Sequence, residues 1–375
     1  MIPFNRAQLF GAELAHMQRA LANGHISGGG PFNEMAEDIL GTYMRGSRAL
    51  LTTSCTHALE LASRVLELGK GDEVIVPAFT FVSTASAFAL SGATPVFADV
   101  SDRTLGLTLD AIKGSFTPRT RAVCVVHYAG VPTELEEISA WCQDQGVTLI
   151  EDNAHGLGST LNGRPLGTFG SLSTLSFHET KNITCGEGGA LVVNHKPLIP
   201  QAEILREKGT DRSQFIRGQI DKYTWQAAGS SWVLSDMLAA FLVGQLEMFE
   251  DIQMTRKSIW NFYEASLGTW AQENGVRTPT VPDQVDHSAH MYFLRLPDHE
   301  SRSRFIDHMS SRGVMTVFHY QALNASPMGI KLGGISGSCP VAEELSGTLV
   351  RLPLFATLTP FEQQSVVHAA IDFKV

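Results

Sequence analysis

LSTLSFHETKNITCGEGGALVVN, residues 172–194, decides the reading of the fold. Its two apolar ends, LSTLSF (172–177) and GALVVN (189–194), have the length and composition of buried strands. Between them lies a polar turn that carries Lys181 and runs into Gly186, Gly188 and Gly189. Toward the N-terminus the short apolar run recurs in VTLIED (147–152), AVCVVHY (122–128), PVFADV (95–100), EVIVP (73–77) and Leu50 to Thr53. Helical patterns at 134–145, 81–90 and 55–68 separate several of these runs. Short apolar strands alternating with helices predict an α/β fold with a mostly parallel central sheet covered on both faces.

Toward the C-terminus the pattern changes. Residues 236–267 read as one long helix that leaves the sheet. After Pro279 and Pro282 a smaller αβ unit follows: MYFLRL (291–296), a helix near 301–312 and VMTVFHY (314–320). The expected division is a large domain, 1–250, and a small C-terminal domain, 251–375.

Composition narrows the function classes. The 375 residues include 28 Lys plus Arg and 38 Asp plus Glu, a formal net charge of −10. Hydrophobic residues make up 43% and charged residues 18%, which excludes a disordered chain. An acidic protein is a poor general ligand for nucleic acid or an anionic membrane, so neither partner is expected. The five cysteines are odd in number and contain no CxxC pair, which argues against a disulfide framework or a cysteine-rich zinc site. His287 and His290 stand at i, i+3 without a third ligand, so no metal site is read there. No apolar run reaches 18 residues and the N-terminus lacks a signal-peptide pattern, so a cytoplasmic protein is expected.

Ligands of open α/β sheets bind beyond the carboxyl ends of the strands, and four features collect at such ends. TTSCT (52–56) runs from a strand into a helix, where hydroxyls and free N–H groups make a phosphate site; the alternative is an ordinary N-cap. Asp152 in LIEDNAH (149–155) closes a hydrophobic strand, where a desolvated acid needs a cationic partner or else caps the next turn. PAFTFVSTA (77–85) places Phe79 and Phe81 where one can stack on a flat ring, unless both are core. Lys181, if held away from water, falls in pKa and becomes a nucleophile; otherwise it is a loop lysine. There is no GxxxxGK[ST] and no GxGxxG after a strand, which disfavours nucleotide-binding folds. Together a phosphate cradle, an acid for a ring nitrogen, an aromatic lid and a Schiff-base lysine are the needs of pyridoxal 5′-phosphate.

The sequence resembles the DegT-type sugar nucleotide aminotransferases, which have the fold-type I architecture of pyridoxal-phosphate enzymes. The resemblance runs through IPFN (2–5), TSCTHALE (53–60), GDEVIVPAFTFVSTA (71–85), VHYAG (126–130), IEDNAHG (150–156), SFHETKN (176–182) and RLPLF (351–355). REKGTDRSQF (206–215) and RGQIDKYTW (217–225) are most similar to transaminases acting on dTDP-4-oxo-6-deoxy-D-glucose. The resemblance implies that Lys181 carries the cofactor, that Asp152 pairs with its ring nitrogen and that Phe81 covers the ring. It implies Cys55, Thr56 and Ser176 at the phosphate and His155 at the phenolic oxygen, where many relatives have Gln. Many members place Asn in a turn reaching the neighbouring subunit's phosphate; GSSWVLSD (229–236) puts Ser231 there. The implied reaction moves an amino group from L-glutamate to C4 of the oxo sugar by ping-pong kinetics, within a homodimer that shares its active sites.

The diphosphate of such a substrate needs local positive charge. Arg206, Lys208, Arg212, Arg217 and Lys222 place five cations within 17 residues, and are read as a clamp or else as a solvated loop. Arg217, Lys222 and Tyr223 are the candidate substrate contacts there, with Trp225 beside them. His319 and Tyr320 are expected at the mouth of the site from the small domain, and SGGGPF (27–32) near the sugar. Two rivals are a sugar dehydratase, whose relatives carry His at the Lys181 position, and a non-catalytic regulator that keeps the fold.

Overall fold

The computed structural model describes residues 1–375. Seven strands form the main sheet, in the order Arg48–Thr52, Gly189–Val193, Leu172–Ser176, Thr148–Asp152, Thr120–Val126, Glu73–Pro77 and Thr94–Ala98. Gly189–Val193 runs antiparallel to both neighbours, and the other pairs are parallel. Every residue of Glu73–Pro77 and Gly189–Val193 is buried, as expected for strands covered on two faces. The turn around Lys181 therefore joins a parallel strand to its antiparallel neighbour at the carboxyl edge of the sheet.

The expected single helix over 236–267 is two helices, Asp236–Glu247 and Phe249–Glu273, broken at Met248, whose backbone departs from helical geometry (φ −101°, ψ 14°). The two serve different cores. Ala239, Ala240, Leu242 and Val243 pack with Phe32, Leu51 and Phe177. Trp260, Tyr263 and Leu267 pack with Phe305, Val350 and Phe355. The break lets one apolar run turn from the first core to the second.

The C-terminal unit is a three-stranded antiparallel sheet, Tyr292–Arg295, Leu349–Leu352 and Val317–Phe318, with the helix His299–Ser311 against it. Of the strand expected over 314–320 only Val317–Phe318 pairs in this sheet. Val314 instead pairs with Ile2, so the first residues of the chain pack on the C-terminal unit. A further apolar cluster, including Phe79, Tyr128, Phe293, Ala322 and Leu349, joins the two sheets. No helix is long and apolar enough to cross a membrane.

Candidate active site

The carboxyl ends of the main strands open into a cavity of about 270 Å³. At one end the helix Cys55–Val65 begins. Ser54, in extended backbone, caps it by accepting from the His57 N–H at 3.1 Å. Cys55 and Thr56 form its first turn and line the cavity. Gly189 lets the antiparallel strand approach this turn: a Cβ there would lie 2.4 Å from the Cys55 nitrogen. Thr56 Oγ1 meets Ser83 Oγ at 2.8 Å, and Ser176 joins them from the end of its strand. Helix-start N–H groups flanked by hydroxyls suit a phosphate.

The acid pair in LIED divides by strand alternation. Glu151 is fully buried and accepts from the N–H groups of Gly167, Phe169 and Gly170 at 2.6–2.8 Å, with His127 Nε2 at 2.8 Å. It is structural. Asp152 faces the cavity, where Thr84 Oγ1 donates to it at 2.7 Å and the Ala154 N–H at 3.2 Å. Burial raises its pKa, and these hydrogen bonds together with the Lys181 charge only partly oppose that. A cation at this carboxylate would complete it.

Lys181 projects from the turn between the two strands. Burial lowers its pKa from 10.5 to about 8, aided by the positive charge of Arg351 and opposed by Asp152. Phe81 stands half-exposed over the cavity. His155 is buried and stacks on His290, ring centroids 4.4 Å apart, and its Nδ1 has no hydrogen-bond partner. Burial holds the imidazoles of His155, His290 and His319 well below the usual histidine range, so all three are neutral. Asn182 Nδ2 donates to Gln253 Oε1 and the Ser288 carbonyl, so its Oδ1 accepts from His290 Nδ1 at 2.9 Å. His287 instead packs edge-on against Trp260, so the histidine pair diverges.

These features fit pyridoxal phosphate as a set: a helix start with hydroxyls, an acid short of a cation, a buried imidazole nitrogen without a partner, an aromatic face and a lysine of lowered pKa. The DegT/DnrJ/EryC1/StrS aminotransferase family matches residues 9–371. The chain belongs to this family. It is similar to the aminotransferase TlmJ from Streptoalloteichus hindustanus, with 31% identity, a TM-score of 0.90, and 98% and 97% of the two chains covered. Spr1654 from Streptococcus pneumoniae, described as a sugar aminotransferase and solved in a PMP form, shares 26% identity at a TM-score of 0.91, over 99% and 98%. A 3-amino-5-hydroxybenzoic acid synthase shares 28% at 0.88, over 99% and 98%. The protein is thus a pyridoxal-phosphate-dependent aminotransferase of this family with the fold-type I architecture.

The cavity gathers Cys55, Thr56, Phe81, Asp152, His155, Ser176, Lys181, His319 and Tyr320 from the sequence-derived set. It does not include Ser231, Arg217, Lys222 or Tyr223. Ser231 is exposed and bridges to Glu207, and Lys222 and Tyr223 are exposed. Within the chain, four of the five cations of the 206–222 run already have partners. Arg206 is buried against Glu37 and the Leu51 carbonyl, Lys208 and Arg212 pair with Glu207, and Arg217 pairs with Glu203 at 2.7 Å. Lys222 alone has no carboxylate partner. SGGGPF likewise packs against Val233 to Asp236 and lies outside the cavity: a Cβ on Gly28 or Gly30 would collide there.

Sequence reasoning assigned no role to Thr84 or Arg351 and read His290 only as structural. A charged residue inside the apolar run LVRLPLF (349–355) was the available signal for Arg351. Thr84 and His290 carried none, because each acts through a partner distant in sequence.

Proposed function

We propose that the protein transfers the amino group of L-glutamate to C4 of dTDP-4-oxo-6-deoxy-D-glucose, giving a dTDP-4-amino-4,6-dideoxy-hexose and 2-oxoglutarate. The observation that carries this reading is Lys181, of lowered pKa, in a cavity beside Asp152 and the Cys55–Thr56 helix start. The resemblance of 206–225 to dTDP-sugar transaminases supports the acceptor. One cavity serving an amino acid and a sugar nucleotide in turn implies ping-pong kinetics.

Bound pyridoxal phosphate supplies an electron sink for charge at the donor α-carbon. Cys55 and Thr56 N–H groups and the Ser176 hydroxyl would hold its phosphate, Asp152 its ring nitrogen, His155 its phenolic oxygen, and Phe81 would exclude water from its face. The Lys181 amine, neutral above about pH 8, would take the proton from the donor α-carbon and deliver it to the cofactor's C4′ carbon. His319 and Tyr320 wall the side from which the sugar enters. A dehydratase reading is disfavoured by Lys181 itself, since relatives with that chemistry have His in its place.

The test supplies the loaded enzyme with L-glutamate and then with the oxo sugar nucleotide. Expected are stoichiometric 2-oxoglutarate in the first step and an aminated nucleotide sugar by mass spectrometry in the second. Absence of 2-oxoglutarate, or amination only of a non-sugar acceptor, sinks the reading.

We further infer a homodimer with shared sites, working in the cytoplasm; all five cysteines are free. Phe215, Ile216, Tyr223 and Trp225 are exposed, Trp225 to 78%, and form the kind of apolar surface that a second copy covers. Arg217 would have to leave Glu203 to meet a diphosphate, whereas Lys222 is free to do so. Mixing Lys181→Ala chains with Arg217→Ala/Lys222→Ala chains is expected to restore activity well above either parent, up to about one intact site per mixed dimer. If heterodimers form and activity stays at parental levels, the sites are not shared through this segment.

A further inference from the structure

We infer that His290 is a specificity-determining residue: its Nε2 is a fixed hydrogen-bond acceptor for the hydroxyl that flanks the reacting carbon of the sugar, with Asn182 as its positioning residue. This deepens the function proposed above and rests on its reading that the amino group goes to a 4-oxo sugar.

The tautomer of a buried imidazole is set by the partner of one of its nitrogens. Asn182 Nδ2 lies 2.7 Å from the Ser288 carbonyl, which can only accept, so the Asn182 amide has one orientation. Its Oδ1 then faces His290 Nδ1 at 2.9 Å, and Nδ1 must carry the proton. Burial keeps the ring neutral, which leaves Nε2 as a bare acceptor. Nε2 has no hydrogen-bond partner in the chain and opens on the cavity that His290 lines. The other two imidazoles of the cavity are not fixed in this way. His319 Nδ1 meets the Tyr128 hydroxyl at 3.0 Å, which can donate or accept, and His155 Nδ1 has no partner.

The position of the ring is fixed as well. Its plane lies against His155, with an interplanar angle of 21°. Ala289, one residue earlier, is in the left-handed region at φ 48°, which is costly for a residue with a Cβ and persists only where the surroundings hold it. Buried Arg256 does so, donating from Nε to the Ala289 carbonyl at 3.3 Å and from Nη2 to the His290 carbonyl at 2.7 Å. Ser288 Oγ donates to the His155 carbonyl at 2.7 Å and ties the two stacked residues together.

A bare acceptor suits few of the groups that enter the site. The phosphates, the phenolate oxygen of the cofactor and the carboxylates of an amino acid are acceptors themselves. Asp152 takes the proton of the ring nitrogen. The sugar hydroxyls remain as donors. Of the two carbons beside C4, C5 of a 6-deoxy sugar bears a methyl group and C3 bears a hydroxyl. With C4 at Lys181, whose charge reaches His290, the C3 hydroxyl is the donor nearest the reaction. A sugar without it would leave Nε2 unpaired in a buried site, and such sites reject such analogues strongly.

The experiment converts the loaded enzyme to its amino form with L-glutamate and follows single turnovers with dTDP-4-oxo-6-deoxy-D-glucose and with its 3-deoxy analogue. The wild type is expected to disfavour the analogue by roughly 10- to 100-fold. His290→Phe keeps a flat ring against His155 but has no acceptor. It should slow the parent sugar by a similar factor and treat both sugars alike, while the half-reaction with L-glutamate falls far less. His290→Gln, whose Oε1 can accept, should regain part of the discrimination. Nitrogen-15 NMR of the histidine-labelled loaded enzyme, assigned by the signal lost in His290→Phe, should show the proton on Nδ1. Asn182→Leu should give mixed tautomers and a smaller discrimination. A proton on Nε2 in the wild type, discrimination that survives in His290→Phe, or equal losses in both half-reactions would each overturn the assignment. A wild type that aminates both sugars equally well overturns this inference alone, whereas one that aminates no oxo sugar nucleotide overturns the proposed function with it.

Discussion

Lys181→Ala is expected to lower turnover by roughly 10⁴-fold or more, because one side chain supplies both the nucleophile and the proton carrier. No neighbour replaces it. The cavity's other cation is Arg351, which cannot be deprotonated in the working pH range, and the nearby imidazoles are buried and neutral. The same variant should remain folded, since Lys181 lies in a polar turn outside the apolar cores. Borohydride reduction of the loaded wild-type enzyme, followed by peptide mapping, should place the label on Lys181. A label on Lys208 or Lys222 would refute the assignment. The pH dependence carries a sign as well. Below about pH 8 the amine is charged and cannot attack; above it the neutral form predominates. Cofactor capture by the apoprotein should rise up to about pH 8 and then level off. A solvent-exposed lysine would keep gaining up to 10.5.

Asp152→Asn is expected to slow the half-reaction with L-glutamate by about 10² to 10⁴, equivalent to a few kcal/mol of transition-state stabilisation. The shape of the side chain is kept and only its charge is lost. In the cavity as built, burial raises the Asp152 pKa. A protonated ring nitrogen beside it would reverse that shift and keep the carboxylate charged, and the carboxylate would in turn keep the nitrogen protonated. Asparagine cannot do this, although it can still accept from Thr84 Oγ1. Single-turnover kinetics check the point: an Asn variant with near wild-type rates would show that Asp152 is not the ring-nitrogen partner.

The two acids of LIED show how far sequence reading reached. Alternation along a strand puts Glu151 and Asp152 on opposite faces, and the fit to a cofactor-binding pattern singled out Asp152. That Glu151 is a buried hub for three backbone N–H groups depends on the loop 167–170 folding over it. Thr84 meets Asp152 from 68 residues away, and His290 meets Asn182 from 108. Neither pairing leaves a periodic or compositional trace. The partners of the cation run at 206–222 were hidden from the sequence for the same reason. Arg206, read as part of a diphosphate clamp or else of a solvated loop, is buried against Glu37, 169 residues distant.

What the sequence determined by itself was local: strands and helices from apolar periodicity, a phosphate-type helix start from TTSCT, a strand-end acid, and a lysine in a polar turn. These follow from backbone geometry and side-chain type within a few residues. Tertiary structure alone decided which charges were already neutralised and which were left facing the cavity. Charge pairing depends on distance in space and on burial, which makes an unpaired ion expensive. Arg206 and Arg351 are the same residue type in sequence; one was spent on Glu37, and the other was left in the cavity beside Lys181.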